Sequence, residues 1–212
     1  LIFNLRQPLL QEPKVREAIA SGINRQELMD VLENGEGVLM DGPFHPDSWA
    51  YAPGAPSVSY DPSRTQELLR QAGFRETKNG MEKKGETFVL NLLVDPKNEQ
   101  LVRIAKLIPQ QLQEVGIGVK FHFFHSYEEF KQNTYQQNEM HAYLMNLSMG
   151  PEPDAVSRYW STYEKINVSR YSRPEVDVLF KKARSSSSRE ARALVYRQIQ
   201  QLIAADKPAV FL

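Results

Sequence analysis

The sequence predicts an α/β domain in which helices cover a β-sheet, and two stretches of the chain support this fold class. In the first, the mostly apolar strand Thr87 to Val94 precedes a helix from Asn98 to Val115, which Pro109 should kink or break. A second strand, Ile117 to Phe124, completes a βαβ unit, whose strands are parallel. The second stretch, His141 to Leu147, is a strand with apolar side chains on both faces, which is typical of a sheet covered by helices.

The first sixty residues predict a strand, a pair of helices and a long loop. Leu1 to Leu5 reads as the strand, and Pro13 suits the first turn of the first helix. Asn24, with Glu27 three residues later, caps the second helix. Gly37 to Ser59 is rich in proline and glycine with aromatic residues between them, which predicts a long ordered loop. We expect the second helix to bury an apolar stripe and to end at a glycine turn: Leu28, Val31 and Leu32, then Asn34 and Gly35.

Caps and turns divide the rest of the chain into short elements. Asp61, followed by a proline, begins a helix, and Asn79-Gly80 supplies the turn of a charged, exposed hairpin. Ser126 and Ser188 each read as helix caps, and Pro174 opens a helix between them. The last helix should end before Pro208 and bury this apolar stripe: Leu194, Val195, Ile199, Leu202 and Ile203.

Composition excludes several classes of function. The 26 basic and 26 acidic residues give a formal charge of zero, so nothing indicates a nucleic-acid surface or an anionic-membrane surface. Cysteine is absent, which excludes disulfides, thiolate metal sites and a cysteine nucleophile, and fits either redox compartment. The chain has no apolar run of about 18 residues and does not start with a basic segment before an apolar one. Because both ends read as strands without polar flanking residues, we expect a piece of a longer protein.

The segment that follows the strand at 141–147 is the best candidate for a binding loop. Ser148 to Asp154 contains a glycine and two prolines, so it cannot continue a regular element. In open α/β sheets, ligands bind just outside the carboxyl ends of the strands. The alternative is a plain strand-to-helix connection, and the residues alone leave both interpretations open.

Residues with catalytic or metal-binding chemistry are sparse. No phosphate loop, metal-spaced histidine pair or nucleophile elbow is present. His122 and His125 would point to opposite faces of a strand, which argues against a metal pair. Glu152 and Asp154 could act as general acid and base, but a solvated turn in which Asp154 caps a helix explains them more simply.

Five phrases of the sequence, taken in order, resemble the phrases of one family. Each is weak alone, but their order over the whole chain is specific. They are Phe3-Asn4 with Val15-Arg16-Glu17-Ala18, then Asn24-Arg25-Gln26-Glu27-Leu28, then Tyr60-Asp61-Pro62 with Leu68-Leu69-Arg70-Gln71-Ala72-Gly73, then Gln111 to Ile117, and Tyr171 to Asp177. The chain is similar to the family 5 extracytoplasmic solute-binding proteins, which feed ABC importers for oligopeptides, dipeptides, nickel chelates and some sugars.

The resemblance implies a periplasmic-binding-protein-like fold of type II, with a mixed sheet flanked by helices. It implies that residues 1–212 are a single lobe, the outer one of a bilobed protein, and that the other lobe of the same parent chain closes over the solute. The expected partners are a small, peptide-like or related solute and an ABC permease. We expect no nucleic acid to bind this segment, no catalysis and no cofactor. Such a protein is extracytoplasmic, either periplasmic or anchored as a lipoprotein.

One departure from the family pattern bears on the solute. In peptide-binding members the loop after the strand reads roughly W-x-x-D-Y-x-D-P, and its first aspartate takes the peptide's α-ammonium. The aligned stretch here begins at Asn146, in place of the tryptophan, and Met149 stands in place of the aspartate. A thioether gives an ammonium no charged partner, so we expect no binding of free peptides by this amino-terminal clamp. Shifting the alignment to use Glu152 would break the Pro-x-Pro match.

The resemblance and the loop position together predict the solute contacts. The loop at Lys97 and Asn98 begins a helix whose dipole suits an anion, and simple capping explains these two residues equally well. Trp160 belongs to an aromatic group, with Tyr159 and Tyr163, that could stack on a ligand or pack in the core. The principal expected contacts are Asn146, Ser148, Met149, Gly150 and Trp160, with Lys97 and Asn98 in second rank.

Two other functions stay open at this point. A solute sensor of the same fold, joined to a DNA-binding helix-turn-helix in a transcriptional regulator, would be cytoplasmic. Only sequence outside this chain would distinguish it from a transport protein. A hydrolase that used Glu152 or Asp154 with His141 would show turnover that Asp154→Ala abolishes.

Overall fold

The computed structural model describes residues 1–31 and 37–212. In chain order, its strands are β1 (Ile2–Phe3), β2 (Arg75–Thr77), β3 (Gly80–Lys83), β4 (Glu86–Thr87), β5 (Val89–Val94), β6 (Gly118–Phe123) and β7 (Ala142–Leu144). Its α-helices are α1 (Pro8–Gln11), α2 (Pro13–Ser21), α3 (Arg25–Val31), α4 (Pro62–Gln71), α5 (Glu99–Glu114), α6 (Tyr127–Lys131), α7 (Ser157–Trp160), α8 (Pro174–Ser185) and α9 (Arg189–Asp206). A π-helical segment, Gln132–Gln136, follows α6, and a 3₁₀ segment, Pro153–Val156, precedes α7.

The main sheet is mixed, with the strand order β1, β7, β5, β6. β5 runs parallel to both β6 and β7, whereas β1 runs antiparallel to β7. β5, α5 and β6 form the predicted βαβ unit, in which Val89 lies opposite Gly118 and Val94 opposite Phe123. β2, β3 and β4 form a separate antiparallel sheet that contains the predicted hairpin. The predicted α/β class, with a mixed sheet flanked by helices, is therefore confirmed.

The buried apolar side chains form two clusters, one on each face of the main sheet. On β7, Ala142 and Leu144 belong to the first cluster and Tyr143 to the second. On β5, Leu92 belongs to the first and Leu93 to the second. Helices α2, α4 and α5 contribute to the first cluster, and α8 and α9 to the second. β7 is thus buried on both faces, as its sequence predicts, because successive side chains of a strand point to opposite sides.

Helix starts follow the predicted caps. Each capping side chain accepts a hydrogen bond from the backbone N–H three residues later, which satisfies a donor that has no partner within the helix. The five capping residues are Asn24, Asp61, Asn98, Ser126 and Ser188.

Contacts with α9 hold the long loop that precedes α4. Phe44 and Trp49 each meet the ring of Tyr196 edge-on, at 5.5 Å between centroids. The buried side chain of Gln200 accepts the N–H of Ala52 at 3.0 Å and donates to the carbonyl of Ala52 at 2.9 Å. These contacts fix the loop against the second cluster.

Several local predictions are wrong. α5 runs through Pro109 without the predicted break, because a buried stripe that includes Ile104, Ile108 and Leu112 keeps it packed in the first cluster; a kink at Pro109 stays a prediction. Leu194 is 60% exposed, since it lies beside the buried stripe of α9 on the outer side.

The second helix of the predicted N-terminal pair and the last residues of the chain also differ from expectation. Val31 is 41% exposed, because α3 buries Leu28 and Met29 instead. The expected strand after Pro208 forms an isolated bridge, in which Ala209 pairs with Ile2 of β1. The predicted helix end at Leu32, Asn34 and Gly35 lies outside the described residues.

Two histidines beside β5 predict a pH-dependent stability. His141 Nδ1 accepts the backbone N–H of Asn91 at 2.9 Å, and His122 Nε2 lies 3.3 Å from Asn91 Oδ1. Burial, and then the charge of His122, lower the pKa of His141. Burial and Lys120 lower the pKa of His122, against an opposing effect of Glu139. Because the unfolded chain, with a histidine pKa of about 6.5, binds these protons more readily, the free energy of unfolding should fall as the pH drops below about 6.5.

Urea unfolding of the intact protein at about pH 7.5 and about pH 5 measures this effect. His141→Asn keeps an acceptor near the N–H of Asn91 and removes one titrating group, so it should reduce the difference between the two pH values. His125→Asn removes an exposed imidazole and serves as the control. A pH difference in H141N as large as that of the wild type would contradict the prediction.

Candidate functional site

A cleft of about 880 Å³ opens at the carboxyl end of β7. The loop that leaves β7, residues 145–152 and here called the exit loop, forms one wall of the cleft. A second wall comes from α5, through Gln100, Leu101 and Ile104. A third comes from the segment His45 to Trp49, and the first and last residues of the chain also line the cleft. The cleft therefore lies at the edge where ligands bind in open α/β sheets.

The lining of the cleft is largely apolar and rich in methionine. Four of the six methionines in the chain line it, as do both tryptophans: Met29, Met40, Met145, Met149, Trp49 and Trp160. Methionine is flexible and polarisable, so such a wall adapts to apolar groups of different shape. A concave site of this volume with few polar groups is typical of small-molecule binding.

The structure brings four of the principal predicted contacts together in the cleft. Asn146, Met149, Gly150 and Trp160 all line it. Ser148 does not belong to the described lining; its carbonyl accepts a hydrogen bond from the hydroxyl of Tyr159 at 3.2 Å. Contact of these residues with a solute stays a prediction.

Lys97 and Asn98, the second-rank contacts, lie at the start of α5. They are near Gln100 and Leu101 of the lining in sequence but do not themselves line the described cleft. Asn98 Oδ1 accepts the N–H of Leu101 at 3.1 Å. The backbone N–H of Lys97 donates to Asp95 Oδ1 at 2.9 Å. These bonds are those of a capped helix start, and a role of Lys97 and Asn98 in binding stays a prediction.

Two ion pairs hold the end of the exit loop and the 3₁₀ segment after it against the helices of the second cluster. Glu152 pairs with Arg192 of α9 at 3.1 Å. Asp154, in the 3₁₀ segment that follows, accepts the N–H of Arg184 Nε of α8 with both carboxylate oxygens, at 3.0 and 2.9 Å. The predicted helix cap at Asp154 is therefore wrong, because its carboxylate turns to Arg184 instead of to a backbone N–H. Gly150 has a φ of +63°, a left-handed conformation that glycine adopts without strain.

Trp160 forms the floor of the cleft and belongs to the second cluster. Its side chain is 1% exposed, and its ring lies 5.6 Å from that of Phe211 and 6.4 Å from that of Tyr171. Its indole N–H is buried without a hydrogen-bond partner among the described residues. Tyr163, which the sequence groups with Trp160, is exposed instead.

Comparison with known proteins decides the family. A family model described as "Bacterial extracellular solute-binding proteins, family 5 Middle" matches residues 1–168. The chain belongs to this family. The resemblance inferred from the sequence phrases is thereby confirmed.

Family 5 relatives match the whole chain but extend well beyond it. Oligopeptide-binding protein AppA of Bacillus subtilis is 29% identical over 217 residues, which are 99% of this chain and 40% of AppA. Glutathione-binding protein GsiB of Pectobacterium atrosepticum is 26% identical over 219 residues, which are 99% of this chain and 40% of GsiB. This chain therefore spans about two fifths of the length of these relatives.

The fold also matches a solved structure from the family. The structure of Bacillus subtilis AppA in complex with a nonapeptide superposes with a TM-score of 0.90 and 27% sequence identity. The match covers 100% of this chain and 43% of that one. The periplasmic-binding-protein-like fold is thereby confirmed.

Several residues of the cleft are not evident from the sequence. Met29, Met40 and Arg189 come from three separate elements, and only tertiary packing brings them to the exit loop. Trp49 lies in a loop whose aromatic content predicts order, which is a usable signal. The clustering of methionines was a second signal, because two of them, Met145 and Met149, lie in the candidate loop itself.

The part of the chain that the structure describes contains neither a group of metal-binding side chains nor a membrane-spanning helix. Within residues 1–31 and 37–212, no group of three or more histidine, cysteine, aspartate and glutamate side chains could hold a metal ion. No helix in the same ranges is long and apolar enough to cross a bilayer.

Proposed function

We propose that residues 1–212 are a single solute-binding lobe of a protein that delivers its solute to an ABC permease. The observation that carries the proposal is the cleft of about 880 Å³ at the carboxyl end of β7. The match of the chain to the family 5 model supports the same function. The other lobe of the parent chain would close over the solute. Closure without chemistry would then present the loaded protein to the permease.

The contacts of the exit loop support binding without catalysis. Glu152 and Asp154, the two acids that a hydrolase would use, are each paired with an arginine. Their pairing fixes the exit loop before a solute arrives, and a preformed site loses less conformational entropy on binding. His141, the third residue of that alternative, already accepts a backbone N–H.

The relatives support a peptide-like or related small solute and an extracytoplasmic location, periplasmic or lipid-anchored. AppA and GsiB are named for binding oligopeptides and glutathione. Both are binding proteins, so the regulatory sensor gains no support from them.

We also propose that the solute is not held through an ammonium group at Met149. This residue lines the cleft at the position where the family pattern places an aspartate. Its neighbours in the lining are apolar or uncharged: Met145, Asn146, Leu147, Gly150 and Pro151. A free peptide would therefore find no carboxylate of the exit loop facing its amino terminus.

A thermal-shift screen of the intact protein tests the proposed function. We expect one solute class, among di- to pentapeptides, nickel chelates and oligosaccharides, to raise the melting temperature, because a ligand at about 100 times its Kd adds about 2.7 kcal/mol of stability. Met145→Lys puts a charge in the apolar wall and should remove the shift. Thr87→Lys, on the remote strand β4, should keep it. No shift with any class would contradict the proposal.

A further inference from the structure

We infer that the solute combines an apolar body with an anionic group, and that Arg189 binds this group. The inference rests on the proposed function and names the chemistry of its solute. Among the described residues that line the cleft, the acidic and basic side chains are those of Asp47, Arg189 and His45. The remaining lining is apolar or uncharged, so these residues set the charge preference.

Arg189 differs from the neighbouring arginines in having no carboxylate partner among the described residues. Arg184 pairs with Asp154 and Arg192 pairs with Glu152. Within residues 1–31 and 37–212, no carboxylate lies within ion-pair distance of Arg189; its contact is with the indole of Trp49, 5.1 Å from Cζ to the ring centroid. No carboxylate of the described residues therefore competes with a ligand for its guanidinium donors.

The packing around Trp49 keeps this guanidinium at the cleft. Trp49 meets Tyr196 edge-on at 5.5 Å, and Arg192 lies 5.1 Å from the indole centroid. Two arginines of α9 thus contact the indole, and Arg192 in turn pairs with Glu152. A guanidinium stacked on an aromatic ring loses less rotamer freedom on binding, and its planar fork suits a carboxylate in a bidentate geometry.

Asp47 does not cancel this preference. Its side chain is 93% exposed and lies 3.6 Å from the imidazole of His45. A solvated charge of this kind acts weakly on its neighbours, because water and salt screen it. Arg189, by contrast, is held at the cleft by its contact with the ring of Trp49.

The methionine wall defines the other half of the solute. Met29, Met40, Met145 and Met149 face the same space as Arg189. Adaptable thioether side chains favour apolar groups without selecting one shape. The combination fits a solute with bulky apolar groups and a carboxylate. Such a solute needs no positive charge of its own.

Calorimetric titration of the intact protein with two matched probes tests the inference. N-acetyl-trileucine has a free carboxylate and no ammonium, and its C-terminal amide differs only in lacking the negative charge. We expect the acid to bind about tenfold or more tightly than the amide, because hydrogen bonds to a charged partner are the stronger ones. Arg189→Gln should lower the affinity for the acid to that for the amide. Arg197→Gln, an exposed arginine of the same helix outside the cleft lining, should change neither.

Each other outcome is informative. Equal affinities for acid and amide in the wild type, or full discrimination in R189Q, would overturn the inference. If neither probe binds while another solute class raises the melting temperature, the proposed function survives and the assigned solute chemistry is wrong. If no solute of any class binds, both fail.

Discussion

Replacing Trp160 with alanine is expected to lower the free energy of unfolding by about 3 to 5 kcal/mol, as for other buried aromatic residues. Trp160 is 1% exposed and joins the second cluster to the floor of the cleft through Phe211 and Tyr171. Its removal leaves a cavity that the packed neighbours cannot fill. Urea unfolding of the intact protein measures the loss, and solute affinity should fall with it.

Phenylalanine at position 160 separates ring packing from hydrogen bonding. The indole N–H of Trp160 has no partner among the described residues, so Trp160→Phe removes a buried unsatisfied donor together with part of the ring. We expect a loss below about 1.5 kcal/mol and a solute affinity within about threefold of the wild type. A loss of stability as large as that of W160A would show that the N–H matters, and would contradict this account of the floor.

Replacing Met149 with aspartate is expected to create a preference for solutes with a free amino group. The exit loop would then present a carboxylate at the position where the family pattern has one. A hydrogen-bonded charge pair contributes about 1.5 to 3 kcal/mol, which corresponds to about 10- to 150-fold in affinity. Titration with a free peptide and its N-acetylated counterpart measures the preference, because only the former carries the ammonium.

Met149→Asn is the matched control, since it has the shape of aspartate without the charge. It should leave the ratio of the two affinities unchanged. A wild-type protein that already prefers the free peptide by this factor would show that another group holds the ammonium. The proposal that the solute is bound without an ammonium clamp would then be wrong.

Local chemistry made much of the fold predictable. Asn24, Asp61 and Ser188 cap their helices because a short polar side chain satisfies backbone donors within three residues. The βαβ unit follows from the spacing of two apolar strands around one helical stripe. The break at Pro109 and the burial of Leu194 were wrongly predicted, because packing on a neighbouring element decides whether a helix continues and which of its side chains is buried.

The cleft was only partly predictable, because its walls are distant in sequence. Met149 and Gly150 follow a recognisable strand, so their position at the edge of the sheet could be expected. Arg189 reads from sequence as a surface charge at the start of a helix. Its relation to Trp49, 140 residues earlier by their numbers, depends on how the long loop packs against α9.

Hydrogen exchange of the intact protein, with and without the solute that gives the largest thermal shift, tests most directly whether the cleft is the binding surface. We expect slower exchange in the exit loop, residues 145–152, and in residues 45–49. The β2, β3 and β4 sheet, which contributes nothing to the described lining, should be unchanged and serves as the internal reference. Protection elsewhere on the chain, with both cleft segments unchanged, would contradict the assignment of the cleft as the solute site.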